Sequence, residues 1–353
     1  MSEFLSEKLS KLKPYVPGEQ PKERKYIKLN TNESPFPPSK KAIDLISEQS
    51  SLLNLYPDPD VKELTGLVAK ECGVKEDQVI LTNGSDEVLN FAFMAYCDNA
   101  RPAVFADITY GFYQVFADIN GVQSKIIPLK EDFSIDVEDY INEVGTVFIA
   151  NPNAPTGKLL PLEQIERLLK SNLKRVVVID EAYIDFGGQS AVTLVDKYPN
   201  LLVTQTFSKS RSLAGARLGF GVANKEIIND LVRIKYSTNP YNVNRSTALA
   251  GIGAMLDKEY FESNCKKIIE NREKAKIQLE KLGFSVTNSM ANFLFVKSDK
   301  ISGEDLYLKL KEEGVLVRHF NSQRISEYNR ITVGNDYEMQ VLIEKITKIL
   351  GEK

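Results

Sequence analysis

Lys209 closes an apolar run in Gln205-Thr206-Phe207-Ser208-Lys209, and Arg217 follows eight positions later. A lysine withdrawn from water gives up its proton more readily, and the neutral amine attacks carbonyl carbon. Taken alone, a lysine is most often a solvated surface charge. Four other apolar runs also end in polar residues. Residues 78–82 lead into Asn83-Gly84-Ser85-Asp86-Glu87, and 103–106 lead towards Thr109-Tyr110. Residues 146–150 lead into Asn151-Pro152-Asn153-Ala154-Pro155-Thr156-Gly157, and 175–179 into Asp180-Glu181-Ala182-Tyr183. Ligands of open parallel sheets bind beyond the carboxyl ends of the strands, so these ends predict one crevice.

Each cluster suggests its own chemistry. Gly84 lets backbone approach a ligand, and Ser85 opens a helix whose free N–H groups attract an anion. A plain helix cap is the competing use of the same residues. Ser208 and Arg217 would add a hydroxyl and a guanidinium to a phosphate there. Neither G-x-x-x-x-G-K-[ST] nor G-x-G-x-x-G occurs, which disfavours a nucleotide phosphate. Asp180 follows four apolar residues and needs a partner if buried. A protonated pyridine nitrogen would serve, as would an arginine or a helix N-terminus. Tyr183 stands three residues on, within reach of a ring hydroxyl, and Tyr110 offers a flat face for stacking.

These residues must be positioned by regular elements. Helical patterns cover 61–71, 85–96 and 162–169, and strand patterns cover 78–82, 103–106, 146–150, 175–180, 201–206 and 218–222. Strands apolar throughout and separated by helices predict an α/β fold with a mostly parallel sheet covered on both faces. A long helical pattern then runs from about 246 to 282, followed by shorter strands at 292–296, 315–318 and 330–333. The expected division is an irregular arm at 1–35, a large domain at 36–245 and a smaller α/β domain at 246–353.

Composition narrows the function. The net charge of -3, without a basic block, argues against a nucleic-acid partner. No apolar run approaches the roughly 18 residues of a membrane span. The first residues lack a basic stretch leading into an apolar one, so a cytoplasmic location is expected. Cys72, Cys97 and Cys265 form no C-x-x-C pair, so free thiols are expected and neither disulfide nor zinc knuckle. The single histidine, His319, has no metal-ligand spacing around it and reads as structural or substrate-proximal.

The set Tyr56-Pro57-Asp58, Asn83 to Glu87, Thr109-Tyr110-Gly111, Asn151 to Gly157, Asp180 to Tyr183, Thr206 to Lys209 with Arg217, and Arg330 to Gly334 resembles the histidinol-phosphate aminotransferases. These are pyridoxal-phosphate enzymes of fold type I, and the likeness runs through nearly the whole chain. It implies a seven-stranded, mostly parallel sheet in the large domain. It implies that Lys209 binds pyridoxal 5'-phosphate covalently and then moves protons. Asp180 would pair with the ring nitrogen, Tyr183 would bond the ring oxygen, and Tyr110 would stack. Ser85, Asp86, Ser208 and Arg217 would hold the phosphate. Tyr56 would reach the cofactor of a neighbouring subunit, implying a homodimer. Arg330 and Arg318 would bind the anionic ends of histidinol phosphate and 2-oxoglutarate, with Tyr15 and Asn32 lining the pocket. The family's asparagine before Pro-Thr-Gly is replaced here by Ala154, leaving Asn153 one residue earlier as a substitute for the ring-oxygen contact. An aromatic aminotransferase and a threonine-phosphate decarboxylase-like lyase share most of these motifs.

Overall fold

Seven strands form the large sheet of the computed structural model, which describes residues 4–10, 12–21 and 23–351. They are β1 (Val79–Thr82), β2 (Ala103–Ala106), β3 (Ser124–Ile127), β4 (Thr146–Ala150), β5 (Val177–Asp180), β6 (Leu201–Thr206) and β7 (Gly219–Ala223). Their spatial order is β1-β7-β6-β5-β4-β2-β3. β6, β5, β4, β2 and β3 run parallel, while β7 is antiparallel to both β1 and β6. β1, β2, β4, β5 and β7 are buried along their whole length, as strands apolar on both faces require. β3 escaped the sequence pattern because it is an edge strand whose Lys125 and Ile126 face solvent.

Two apolar clusters cover the sheet. One packs Leu64, Leu168 and Ala250 against Val147, Ile179 and Val203. The other packs Phe93, Tyr113 and Leu231 against Phe148, Val178 and Leu202. β7 lies close against the start of the helix Ser85–Tyr96: a Cβ on Gly219 would fall 2.3 Å from the Ser85 nitrogen. Glycine at 219 therefore lets this helix N-terminus sit beside the segment that carries Arg217.

The smaller unit is a four-stranded antiparallel sheet in the order Arg318–His319, Asn329–Thr332, Phe293–Ser298, Phe284–Val286. The helices Lys258–Lys281, Gly303–Glu312 and Asp336–Ile349 accompany it. Its core joins Leu279, Phe293 and Leu342 to Leu29 and to Tyr183 of the large unit's loops.

Two stretches near the expected boundaries carry more structure than their sequence pattern. The helical stretch expected over 246–282 is two helices, Arg245–Leu256 and Lys258–Lys281, meeting at Asp257. Asn244 caps the first through the Thr247 amide at 2.9 Å. Ala250, Ile252 and Ala254 of that helix pack in the core of the large sheet. The arm is also less irregular than expected. Ile27–Lys28 pairs in parallel with Val315–Leu316, and Leu29 is buried in the small unit's core.

Candidate active site

The ends of β1, β4, β5 and β6 converge on one inner cavity. Ser85, Asp86, Tyr110, Pro152, Ala154, Asp180, Tyr183, Ser208, Lys209 and Arg217 are among its lining residues. An outer cavity shares Tyr110, Ala154, Tyr183 and Lys209 and extends to Tyr15, Asn30, Asn32, Arg318 and Arg330. A separate cavity lined by Glu71, Cys72, Asp185 and Arg211 contains neither Lys209 nor Asp180.

Lys209 is half-buried, and its Nζ donates to the Thr31 carbonyl at 3.4 Å. The ammonium lies 5.9 Å from the centre of the Tyr183 ring. Burial, then the Arg330 charge, brings its pKa down to about 8. The neutral form of this lysine, though a minority, is therefore far better populated near physiological pH than that of a lysine in water, as a nucleophilic amine requires.

Asp180 closes β5 and is 4% exposed. Burial pushes its carboxyl up to about 7, and the nearby Asp86 charge adds to the rise. Its hydrogen bonds come from the Tyr113 hydroxyl at 3.0 Å and, more weakly, the Ala182 amide at 3.3 Å. Among the described residues it forms no ion pair. A buried carboxylate without a cation is an unmet demand for one.

Arg217 sits at the other end of the inner cavity, in the left-handed region at φ 54°. Its guanidinium donates to Asp86 Oδ2 at 3.1 Å and reaches Ser208 Oγ at 3.4 Å. Ser85 and Asp86 open the helix Ser85–Tyr96, whose first N–H groups have no acceptor within the helix. The Asp86 carboxylate is itself occupied, since Tyr110 donates to its other oxygen at 2.8 Å. Only the Asp86 backbone can face an anion; its side chain orients Arg217 and Tyr110. Gly84, at φ +79°, leaves space for Arg217, because a Cβ there would lie 2.7 Å from Nη2.

Asn153 turns away from the inner cavity. Its amide donates to the Ile108 carbonyl at 2.9 Å and to Thr156 Oγ1 at 3.0 Å, and it accepts from Thr109 at 2.8 Å. With both N–H groups used within the loop, it has none left for a ring oxygen, and Ala154 lines the wall instead. Asn32 is buried and donates to the Tyr183 oxygen at 3.0 Å. It supports the phenol at the edge of the outer cavity.

The outer cavity is basic. Register pairs Arg318 directly across from Arg330 on antiparallel strands. Arg330 donates to the Asn30 carbonyl at 3.1 Å, and its buried Nε has no partner. Arg318 holds the arm through the Pro17 and Val16 carbonyls, each at 3.2 Å. Neither arginine forms an ion pair among the described residues. Like charges directly opposite each other across a ladder are destabilising, so the pair calls for an anion between them. Tyr15 stacks on Phe112 at 4.4 Å and lies 6.5 Å from Tyr110.

Tyr56 is brought to neither cavity. It is 78% exposed and stacks on Tyr241 at 4.5 Å. His319 stacks on Tyr307 at 5.9 Å, with Nδ1 buried and unpartnered. No cluster of metal-ligating side chains occurs among the described residues. Sequence reasoning missed Tyr113, because a tyrosine at a helical apolar spacing reads as core.

Comparison with known proteins places these features in context. The family model described as aminotransferase class I and II matches residues 24–346. The histidinol-phosphate aminotransferase of Brachyspira hyodysenteriae is 50% identical over 99% of both chains. That of Clostridium acetobutylicum is 46% identical over 99% of this chain and all of its own. A crystal structure of a histidinol-phosphate aminotransferase from Clostridium acetobutylicum superposes with a TM-score of 0.85 at 27% identity, covering 92% of this chain and 99% of the other.

Proposed function

We infer, on the premise that this chain belongs to the class I and II aminotransferases and within them to the histidinol-phosphate aminotransferases, that its two cavities form one transamination site. The inner cavity suits pyridoxal 5'-phosphate. A depressed lysine, a buried acid lacking a cation, and an arginine beside a helix N-terminus match its aldehyde, ring nitrogen and phosphate. Lys209 would hold the aldehyde carbon and Asp180 the ring nitrogen. Tyr183 would bond the ring oxygen, and Tyr110 would lie against the ring. Arg217, Ser208 and the amides of Ser85 and Asp86 would hold the phosphate.

When bound, the cofactor supplies an electron sink for the charge left when an amine loses its α-proton. The chain supplies the rest. Lys209, an amine with a lowered pKa, would take the α-proton and return it to the neighbouring carbon. Asp180 would keep the ring nitrogen protonated. The Asn32 amide donates to the Tyr183 oxygen, so the phenol hydrogen is free to point elsewhere, towards a ring oxygen.

Histidinol phosphate is the proposed amino donor and 2-oxoglutarate the acceptor. The observation that carries this choice is the cross-strand pair Arg318 and Arg330 at the outer mouth. A phosphate on one substrate and a carboxylate on the other meet the same two guanidiniums. The exposed Tyr56 and Tyr241, with Leu53 and Leu55 beside them, support a homodimer in which Tyr56 reaches the partner's cofactor phosphate. A cytoplasmic location agrees with the free Cys72, Cys97 and Cys265, whose thiols burial pushes up to about 12.

The test is a half-reaction with the reconstituted protein. Histidinol phosphate should convert the cofactor to its amine form much faster than phenylalanine does. Borohydride should fix the cofactor to the peptide containing Lys209. Faster conversion by phenylalanine would favour an aromatic aminotransferase, and carbon dioxide release from threonine phosphate would favour the lyase. Label on another lysine would overturn the site.

A further inference from the structure

Tyr113 has no place in the scheme so far, yet it makes the shortest hydrogen bond to Asp180. It sits on the first turn of the helix Phe112–Asn120 and is fully buried. Phe105 and Tyr110 hold its ring edge-on at 5.7 and 5.8 Å, and Phe148 packs at 5.9 Å. With the ring so fixed, its hydroxyl reaches Asp180 Oδ2 at 3.0 Å. A donor aimed at a carboxylate favours the ionised form.

The other charges around Asp180 do not do this work. Asp86, on the helix Ser85–Tyr96, opposes ionisation, and Lys209, after β6, favours it only weakly. Tyr110 donates to Asp86 instead, and among the described residues Tyr183 forms no hydrogen bond with Asp180; its oxygen accepts from Asn32. Among the described residues the Ala182 amide, at 3.3 Å, is the only other donor. Burial alone would leave Asp180 protonated, and a protonated acid cannot hold a cationic ring.

We propose that Tyr113 is a positioning residue that keeps Asp180 ionised, and thereby keeps the shared proton on the ring nitrogen of the bound cofactor. This rests on the pyridoxal-phosphate reading of the inner cavity. No covalent bond changes. With the cofactor bound, a single proton would be shared between its ring nitrogen and the carboxylate, and the Tyr113 hydroxyl would bias it towards nitrogen. Removing that hydroxyl shifts the proton to Asp180 and weakens the ring as an electron sink.

The test uses Tyr113→Phe, which keeps the packed ring. In the apoprotein, isotope-edited infrared should show the Asp180 carboxyl titrating at higher pH than in the native chain. In the holoenzyme carrying nitrogen-15 cofactor, the ring resonance should move towards that of a neutral pyridine. The turnover number should fall about 10- to 100-fold, with KM for the amino donor nearly unchanged. An unmoved carboxyl titration and an unmoved ring resonance would overturn the proposal, even if activity fell, since lost packing would explain that alone. Should Y113F not fold, a difluorotyrosine placed at 113 serves instead. As a stronger donor it should lower the Asp180 titration, and no shift would overturn the proposal. If the native protein failed to take up cofactor, the functional reading would fail, while the infrared arm would still decide the role of Tyr113.

Discussion

Asp180→Asn should make the cofactor-free protein more stable while disabling it, and the gain should depend on pH. Burial holds the Asp180 carboxyl at about 7, against 3.8 for a solvated aspartate. That difference corresponds to about 4 kcal/mol. The direction follows from which state binds the proton. Below 3.8 both the folded and the unfolded chain carry it. Between 3.8 and about 7 the unfolded chain releases its proton while the fold retains it, so the apoprotein loses stability as pH rises. Above about 7 the loss levels off. An asparagine never ionises and avoids the loss. It keeps an oxygen for Tyr113 but disturbs the weak Ala182 bond, at a cost of about 1 kcal/mol. The net gain should be roughly 3 kcal/mol near pH 8 and vanish or reverse near pH 4. Glu181 is likewise buried and held at about 7, but it is common to both proteins and cancels. Thermal unfolding of both apoproteins across this range measures the difference, at roughly 2 °C per kcal/mol or less for a chain of this length. Adding cofactor should reverse the order, because only the native acid gains a cation. A stability difference flat with pH, or a variant less stable at pH 8, would refute the claim that Asp180 is an unmet charge.

Arg330→Lys should lose about 10- to 100-fold in kcat/KM for both the amino donor and the oxo acid, because a point charge cannot replace the guanidinium fork. Loss towards one substrate alone would argue against a shared anion site. Arg330→Gln should in addition raise the pKa of Lys209, since the Arg330 charge is the main cause of its depression after burial. Cofactor attachment to the apoprotein would then require a higher pH; an unmoved profile would refute this. Gly84→Ala should destabilise by about 1–3 kcal/mol, given φ +79° at that position. By displacing Arg217 it should also weaken cofactor binding about tenfold or more, as read by equilibrium dialysis. Unaltered affinity would remove Arg217 from the phosphate site.

Much of this was legible from strand ends. Apolar runs marked β1, β2, β4, β5, β6 and β7 because strands buried on both faces, parallel or not, leave no polar alternation. The residues straight after them lined the inner cavity for the same topological reason. What escaped depended on orientation. Asp86 and Asn153 stand where ligand contacts were expected, but whether a side chain faces a ligand or its own loop depends on hydrogen-bond partners that sequence spacing does not reveal. β3 was hidden by its solvent-facing residues, and the break at Asp257 by helical periodicity continuing across it. Tyr113 was hidden by its apolar neighbours: a residue serves as core through its ring and as a donor through its hydroxyl, and only geometry separates the two.

The segment 30–32 shows why the arm could not be read as a linker. The Asn30 carbonyl accepts from Arg330, the Thr31 carbonyl from Lys209, and the Asn32 side chain donates to Tyr183. Three consecutive residues thus touch the proposed anion clamp, amine and phenol. Asn32 achieves this in the left-handed region at φ 56°, with Thr332 bonded to its amide oxygen at 3.1 Å and Asn292 to its carbonyl at 3.0 Å. A non-glycine residue persists there only when its surroundings fix it. Here the small unit's strand supplies that constraint. Arg330 and Thr332 lie on the same strand, so the element proposed to grip the substrate anion also anchors the backbone that touches Lys209 and Tyr183. A shift of this strand on anion binding would therefore be felt at the amine and the phenol together, which ties substrate recognition to the groups that move its proton.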